Sequence, residues 1–591
     1  MTLIRFLQIH PKKRRKITSP GNLANRTLSQ RTKNIEDLWA KAGKCLDNKD
    51  YKEALRFFKE CESLLPKNEN PLNAIASIYY LTNDYSNAAN YFTQSLVINP
   101  SQPTIHYNLG NCNKSLLKLN LAIKNYSYAI DLDPNFIDAF FNRALLQQEL
   151  LNMESALSDI EKAIKLCGNK EYLAELYFSK GNMLLDVTKP KDALKLFDKA
   201  IQIKPAPQYR LSKGSALSEI GLAKNALVLF YKALINDYPD YSPALSNIGY
   251  VYLDNHNDQD AEEYFTKSLE MDPSNNTVRN NLGVLQLNRG NFKEGWINFE
   301  SRWLVDPRKS RFIATKKPIW GPNTQKNKKI LIWGEQGIGD QILYSTMITP
   351  DNFPPDKTII CCDNKLKSIF SRSFSGYKIM SFEEVNDDNF FDVHIRIGSL
   401  GQYLRSDIND FKKHKRSHLI SNKERTAEFH NEIFDKEKYI CGVSWQSLSS
   451  NDKNCKLEDL LPILKLKNVI FVNLQYGDVK KELDHINNKF GIEIFDIGID
   501  LFNDIDGLTS LVDACDFIVS TSNITPHIAG GLTKQTYLLT AISSRKFHYW
   551  FSTSQQSLWY PSVSIYQQEL KGKWSEPINQ ALNQIKADFN I

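Results

Sequence analysis

The 591-residue chain has no run of about 18 apolar residues, the length a membrane-spanning helix needs, so no transmembrane segment is expected. Its first twenty residues, MTLIRFLQIHPKKRRKITSP, lack the long apolar core of a secretory signal. The nine cysteines show no CxxC pairing, and only Cys361 and Cys362 are adjacent. That usage fits reduced thiols in a cytoplasmic protein, most of them core filler, and predicts no metal site. Charge of one sign is also scarce. A net charge of +7 is mild for this length; it suits acidic small molecules and does not call for nucleic acid. What remains, 42% hydrophobic and 24% charged residues, is the composition of a soluble globular protein. One local exception is PKKRRK at 11–16, which reads as a nuclear-import signal, an anchor to an anionic surface, or a solvated disordered tail.

What is present first is a period. Small residues recur at Ala42, Ala76, Gly110, Ala144, Gly181, Gly214, Gly249 and Gly283. Twelve residues after each stands another, at Ala54, Ala88, Ala122, Ala156, Ala193, Ala226, Ala261 and Gly295. Pro66, Pro100, Pro134, Pro205, Pro239, Pro273 and Pro307 close most units. The dominant spacing is 34 residues, a repeat-array signature. Two antiparallel helices pack closely where small residues cross. Phe58, Phe92, Tyr126, Phe197, Phe230, Phe265 and Phe299, four positions after the second small residue, are expected to fill the gap to the next helix. Proline then stops the second helix. This pattern resembles the tetratricopeptide repeat, with eight units across about 35–308. Such an array implies a right-handed solenoid whose groove takes a protein or peptide; a spacer or dimerisation role is the alternative. Asn108, Asn111, Asn142, Asn182, Asn247, Asn280 and Asn281 fall on first helices. Their amides suit either an extended peptide backbone or solvent.

From about residue 328 the period ends. Short β-branched runs follow: KILIW, TIICC, VHIRI, ICGVSW, VIFVNL and FIVST. Helical segments between them argue for a parallel sheet with covering helices. The charged stretch 407–438 interrupts the run and marks a boundary between two lobes.

Three strand-to-helix turns carry the candidate chemistry. In KKILIWGEQGIGDQILYSTMI, no lysine follows Gly339 and Ile342 stands where a third dinucleotide-loop glycine belongs, so both phosphate-loop patterns fail. Gly337 and Gly339 instead allow close approach to the backbone. Asp340 opens the helix, where the dipole keeps it ionised; it suits accepting a hydroxyl proton or simply capping the helix. In DFIVSTSNITPHIAGGL, Thr521, Ser522, Asn523 and Thr525 line the turn and Pro526 opens the helix before His527. Small hydroxyls beside free N–H groups favour a diphosphate. In GVSWQSLSSNDKNCKLEDLLPIL, Lys453 and Lys456 follow a strand end, where an open sheet places its ligand crevice. Gln475 and Tyr476, at another strand end, are candidates to border a base.

Taken together, GNFKEGWINFESRW, KPIWGP, GEQGIGDQI, FVNLQYGD, STSNITPHIAGGL and WYPSVSIYQQELKGKW resemble, in order, a bacterial group of tetratricopeptide proteins fused to a glycosyltransferase-like domain. That domain is related to the heptosyltransferases, has the two-lobed GT-B fold, and shares its layout with O-GlcNAc transferase. The resemblance covers about 276–576. It implies an α + α/β chain: a basic disordered tail at 1–34, eight repeats at 35–308, an N-terminal, acceptor-side Rossmann-type lobe at 328–437 and a C-terminal, nucleotide-sugar lobe at 438–591. It also implies a metal-independent inverting glycosyltransferase with no cofactor beyond a nucleotide-diphosphate sugar as co-substrate, acting on a protein or glycan hydroxyl. Asp340 matches the family's catalytic base, Lys453 a basic residue on the donor phosphates, and His527 the histidine of the donor turn. Ser522 replaces the aspartate that heptosyltransferases carry in that turn, which points away from ADP-heptose as donor or toward lost activity. The alternative function is a repeat scaffold with a degenerate, non-catalytic domain.

Overall fold

The computed structural model describes residues 23–305, 313–325, 327–335, 337–413, 417–447, 454–542, 550, 555–570 and 572–591. The basic run 11–16, Pro307 and Lys453 lie outside these residues. The chain forms two compact units, the first ending at Leu234 and the second running Ile235–Ile591.

The first unit is a helical repeat array. Its first helix is Leu23–Asp47, so residues 23–34 are helical and the expected disordered tail does not reach residue 34. Pairs such as Pro103–Ser115 with Leu119–Leu132 then recur. Aspartate caps start two of the second helices: Asp50 accepts the Glu53 N–H and Asp84 the Asn87 N–H. Pro66, Pro100, Pro134, Pro205, Pro239 and Pro273 each stand just past the last residue of a helix, because none can continue its hydrogen bonding.

The reason for the small residues is visible at the crossings. A Cβ on Gly110 would come within 2.6 Å of the Tyr126 ring, and one on Gly181 within 2.5 Å of Phe197. The rings therefore lie on the first helix of their own repeat, where the sequence suggested they fill space toward the next one. In the sixth repeat Tyr231, not Phe230, covers Gly214, and Leu227, not Ala226, is the buried partner. The cause is a turn one residue longer: Ile220–Ala223 separates the helices there, against Leu116–Lys118 in the third repeat. Each intra-pair turn also holds one left-handed residue. These are Lys49, Asn83, Leu117, Leu151, Thr188, Gly221, His256 and Gly290, and six of the eight are not glycine.

Not all the asparagines remain free for a ligand. Asn142 Nδ2 donates to Tyr107 Oη at 2.9 Å and to Asn111 Oδ1 at 3.1 Å. Asn111 Oδ1 also accepts the Tyr126 hydroxyl at 2.7 Å, and Asn281 donates to the Tyr250 hydroxyl. These amides tie neighbouring repeats together.

The second unit starts with two more pairs, Ser242–Asp254 with Asp258–Met271 and Asn276–Asn288 with Phe292–Phe299. Two wholly parallel sheets follow. The first has β1 (Ile330–Trp333), β2 (Thr358–Cys362), β3 (Lys378–Ser381) and β4 (Val393–Arg396), in order β3-β2-β1-β4. The second has β5 (Tyr439–Ser444), β6 (Val469–Asn473), β7 (Ile494–Phe495), β8 (Phe517–Thr521), β9 (Gln535–Thr540) and β10 (Val563–Gln567), in order β10-β9-β8-β5-β6-β7. KPIWGP joins the first sheet beside β4, with Trp320 N–H bonded to His394 O at 2.8 Å. Strands β3, β7, β9 and β10 were not anticipated. Three of them are sheet edges, which need less apolar sequence, and β9 mixes Thr and Gln with its leucines.

One continuous core joins Phe292, Trp296 and Phe299 of the last pair to Ile330, Ile332, Ile395, Ile518 and Leu538 of both sheets. The compact-unit boundary falls at Leu234, inside the array, whereas the repeats were expected to end at 308. No helix among the described residues is long and apolar enough to cross a membrane.

Candidate functional site

The last repeat is bolted to the first sheet by charge. Arg302 donates from Nε and Nη2 to Glu335 at 3.1 and 2.9 Å, and from Nη1 to Glu300 at 2.6 Å. Glu335, fully buried, also accepts the Gly398 N–H at 2.7 Å. Burial opposes the charge on Arg302, and the two carboxylates more than offset it, so its pKa is raised. Glu335 closes β1 and thereby fixes the start of the glycine loop.

Beyond that loop the helix Ile338–Ser345 begins with Asp340 in its first turn. The Asp340 carboxylate accepts the Gly337 N–H at 3.0 Å, a capping contact. Gly337 has an ordinary φ of −79°, and Gly339 is not among the left-handed glycines. The constraint on Gly339 is space: a Cβ there would lie 3.0 Å from His527 Cδ2. Close approach is made by the protein's own histidine. The helices Ile338–Ser345 and Thr525–Gly531 pack on one another, so the structure brings Gly339, the neighbour of Asp340, to His527.

His527 is buried, with Nδ1 at 3.4 Å from the Tyr560 hydroxyl and its ring stacked on Trp550 at 5.0 Å. Trp550 Nε1 donates to Ser522 Oγ at 2.9 Å. Gly530 leaves room for the Tyr560 ring. His418 stacks on Tyr560 from the other side, 6.4 Å away, its Nε2 at 3.1 Å from Ile342 O. Burial pushes its pKa down to about 4.

The rest of the turn divides in two. Thr521 Oγ1 and Thr525 Oγ1 are buried and have no hydrogen-bond partner among the described residues. Asn523 and Gln475, expected on the donor, are occupied by the protein. Asn523 Oδ1 accepts the Thr525 N–H, and its Nδ2 donates to Ser444 Oγ and Gln446 O. Gln475 Oε1 accepts from Ser444 Oγ and from the N–H groups of Trp445 and Gln446. Both amides tie together the loops after β5, β6 and β8. A short polar side chain at a strand end serves a loop as readily as a ligand, and the sequence offers no sign of the choice.

Those tied loops shape a cleft of about 730 Å³ at the C-terminal ends of β5, β6 and β7. Asn473, Tyr476, Asp478, Asp496, Asp500 and Phe502 line it. Its outer wall, the segment from β7 into the helix Ile505–Ala514, is held by residues that follow β2 of the first sheet. Arg372 pairs with Asp506, and Lys365 Nζ donates to Phe502 O at 2.8 Å. Neither contact, nor the Arg302–Glu335 pair, had a signature in the sequence beyond single charged residues.

Against known proteins, a tetratricopeptide-repeat profile matches residues 242–275, and one described as an Est1 DNA/RNA binding domain matches 54–120. The repeats are tetratricopeptide repeats. The chain is 24% identical to protein FlbA of Caulobacter vibrioides over 95% of its own length and 91% of that protein. It is also 24% identical to the protein O-mannosyl-transferase TMTC3 of Homo sapiens, over 43% of this chain and 30% of that one; the chain thus spans under a third of that relative. Among solved structures, YrrB, a TPR protein with an unusual peptide-binding site, matches at 21% identity and a TM-score of 0.26, covering 32% of this chain and 96% of YrrB.

Proposed function

We propose that the protein is a glycosyltransferase of the GT-B type, moving a sugar from a nucleotide-diphosphate sugar to a protein or glycan hydroxyl, with its repeats recruiting the acceptor or a partner. The observation that carries this reading is the approach of Gly339, next to Asp340, to His527: the helix that begins with the Asp340 carboxylate packs on the helix that follows the hydroxyl-rich turn after β8. Asp340 takes the proton from the acceptor oxygen as that oxygen bonds to the anomeric carbon and the bond from that carbon to the diphosphate breaks. Attack from the face opposite the leaving group inverts the centre. The hydroxyls of Thr521 and Thr525, unpartnered among the described residues, donate to the departing phosphate, with His527 following them in the chain. Hydrogen-bond donors aimed at developing charge supply the stabilisation. The relative named an O-mannosyl-transferase is compatible with sugar transfer.

A second reading, the scaffold with a non-catalytic domain, is favoured by one observation: Asp478, Asp496 and Asp500 line the cleft, and carboxylates repel a diphosphate. The two separate in one experiment. Purified protein is melted with UDP, GDP, ADP, CDP and their sugars, and donor hydrolysis is followed for wild type and Asp340→Asn. A ligand at about 100 times its Kd adds roughly 2.7 kcal/mol. The transferase reading expects a shift with one nucleotide and a loss of at least about 100-fold in hydrolysis, the scale of general-base catalysis, in a variant that keeps the shift. No shift and no hydrolysis in a folded sample overturns it in favour of the scaffold.

A further inference from the structure

Two arginines of the second unit, Arg302 and Arg405, are buried beside the first sheet, and they are treated differently. Arg302 is answered by two carboxylates. Arg405, 3% exposed, forms no ion pair among the described residues. Its guanidinium donates one hydrogen bond, from Nη1 to Leu404 O at 2.8 Å, and its Nε–H has no acceptor. Its backbone is held: the N–H caps Gly401–Leu404 and the carbonyl accepts Trp296 Nε1 at 2.9 Å. Aromatic rings wall the charge. The guanidinium carbon lies 5.4 Å from the Phe411 centroid and 5.8 Å from that of Trp559, and those two rings meet edge to face at 5.0 Å.

Removing a cation from water is costly, and an apolar side chain of the same length would fill the space without that penalty; Asp410 is near enough to favour the charge but forms no ion pair with Arg405 among the described residues. Burial lowers the Arg405 pKa to about 10, so the group stays charged at neutral pH with donors unspent. A guanidinium on a rigid aromatic seat is suited to a planar fork of oxygens. The seat is also continuous with the site. Trp559 contacts Tyr344, one helical turn after Asp340, at 5.9 Å; the next residue, Tyr560, touches His527.

We propose that Arg405 anchors an oxyanion site on the acceptor side of the first lobe, taking a carboxylate or phosphate group carried by the acceptor. The proposal rests on the transferase reading for the word acceptor, and on Arg405 alone for the anion. An acceptor held there is acidic, a uronic-acid-bearing glycan or a phosphorylated molecule, rather than a neutral sugar.

The test needs no nucleotide and no turnover, so it fails or succeeds apart from the donor. Full-length wild type, Arg405→Met and Arg405→Lys are melted in inorganic phosphate and, separately, in glucuronate, against chloride at matched ionic strength. The expected result is a wild-type shift with at least one of the two anions. Arg405→Met should melt at or above wild type in chloride and lose that shift. Arg405→Lys keeps the charge but not the fork and should need at least tenfold more anion; it carries the test if the Met variant does not fold. A response to phosphate alone assigns a phosphorylated acceptor, and one to glucuronate a uronic acid. No shift with either anion overturns the site. So does a shift of equal size in the variants, because phosphate held at the Thr521–Thr525 turn would survive the loss of Arg405.

Discussion

The two compact units store their stability in different ways. In the first, each aromatic covers a small residue of its own helix pair, as Tyr126 covers Gly110 and Phe197 covers Gly181, and the same contact recurs along the array. In the second, the last helix pair and both sheets share one core, and single groups such as Glu335 serve three elements at once. A repeated contact spreads risk over many equivalent layers. A unique one concentrates it. Sensitivity to single substitutions is therefore expected to be steep in the second unit and shallow in the first.

The sharpest way to break that comparison is Glu335→Ala. It leaves Arg302 buried with one of its two carboxylates, and about 3–5 kcal/mol should be lost in denaturant unfolding of the second unit. Removing the exposed partner in the first unit, by Glu161→Ala, breaks a 2.7 Å pair to Lys180 whose carboxylate is 51% exposed; under about 1 kcal/mol is expected. Equal losses would sink the distinction. Next come matched glycines. A Cβ at Gly283 meets the backbone of Phe299, whereas one at Gly110 meets only side-chain atoms, those of the Tyr126 ring. Gly283→Ala should cost about 3 kcal/mol and Gly110→Ala about 1, the two ends of the overpacking range.

Acid should also separate the units. His418 is held neutral in the folded state, its pKa lowered from 6.5 to about 4. The unfolded chain takes up a proton below 6.5 and the folded one does not, so stability is lost as pH falls from about 6.5 toward 4. His418→Gln should flatten that slope in the second unit's melt; a slope unchanged in the variant would place the titration elsewhere. The smallest expected effect is a gain. Leu151 holds φ 61° and is 83% exposed. Relief of a left-handed Cβ is worth roughly 1–2 kcal/mol, and the added freedom of an unfolded glycine takes back about 0.4–1. Leu151→Gly should therefore stabilise the first unit by about 0.5–1 kcal/mol, read as a higher denaturation midpoint.

The same contrast governs what could be read from the chain. Helix pairs, their crossings and their proline stops were legible because each depends on residues within one repeat. The sixth repeat escaped by one residue, since turn length is set by Ile220–Ala223 and not by the small residues around it. Most of the left-handed turns left no mark, because Leu, Thr, Lys, His and Asn occupy six of the eight at an energetic cost instead of glycine. In the sheets, the strands with unbroken apolar runs were legible, the edge strand β4 among them, whereas the edges β3, β7 and β10 and the interior but polar-mixed β9 were not. At the site, the two turns bearing Asp340 and His527 stood out separately, but the contact that joins them is between residues far apart in the chain. Gln475 and Asn523 have the right chemistry for a ligand and are spent on loops. Arg405 had no signal at all, since an unpaired arginine is a property of its surroundings.

One feature of the packing also limits how such a gene can change. Since Trp296 and Arg302 are built into the core of the sheets, a recombination breakpoint between the last repeat and β1 would separate a protein from part of its own interior. Breakpoints upstream of Leu234 would exchange one interchangeable layer for another. Repeat number should therefore drift at the front of the array during evolution, while the final pair is inherited with the domain that follows it.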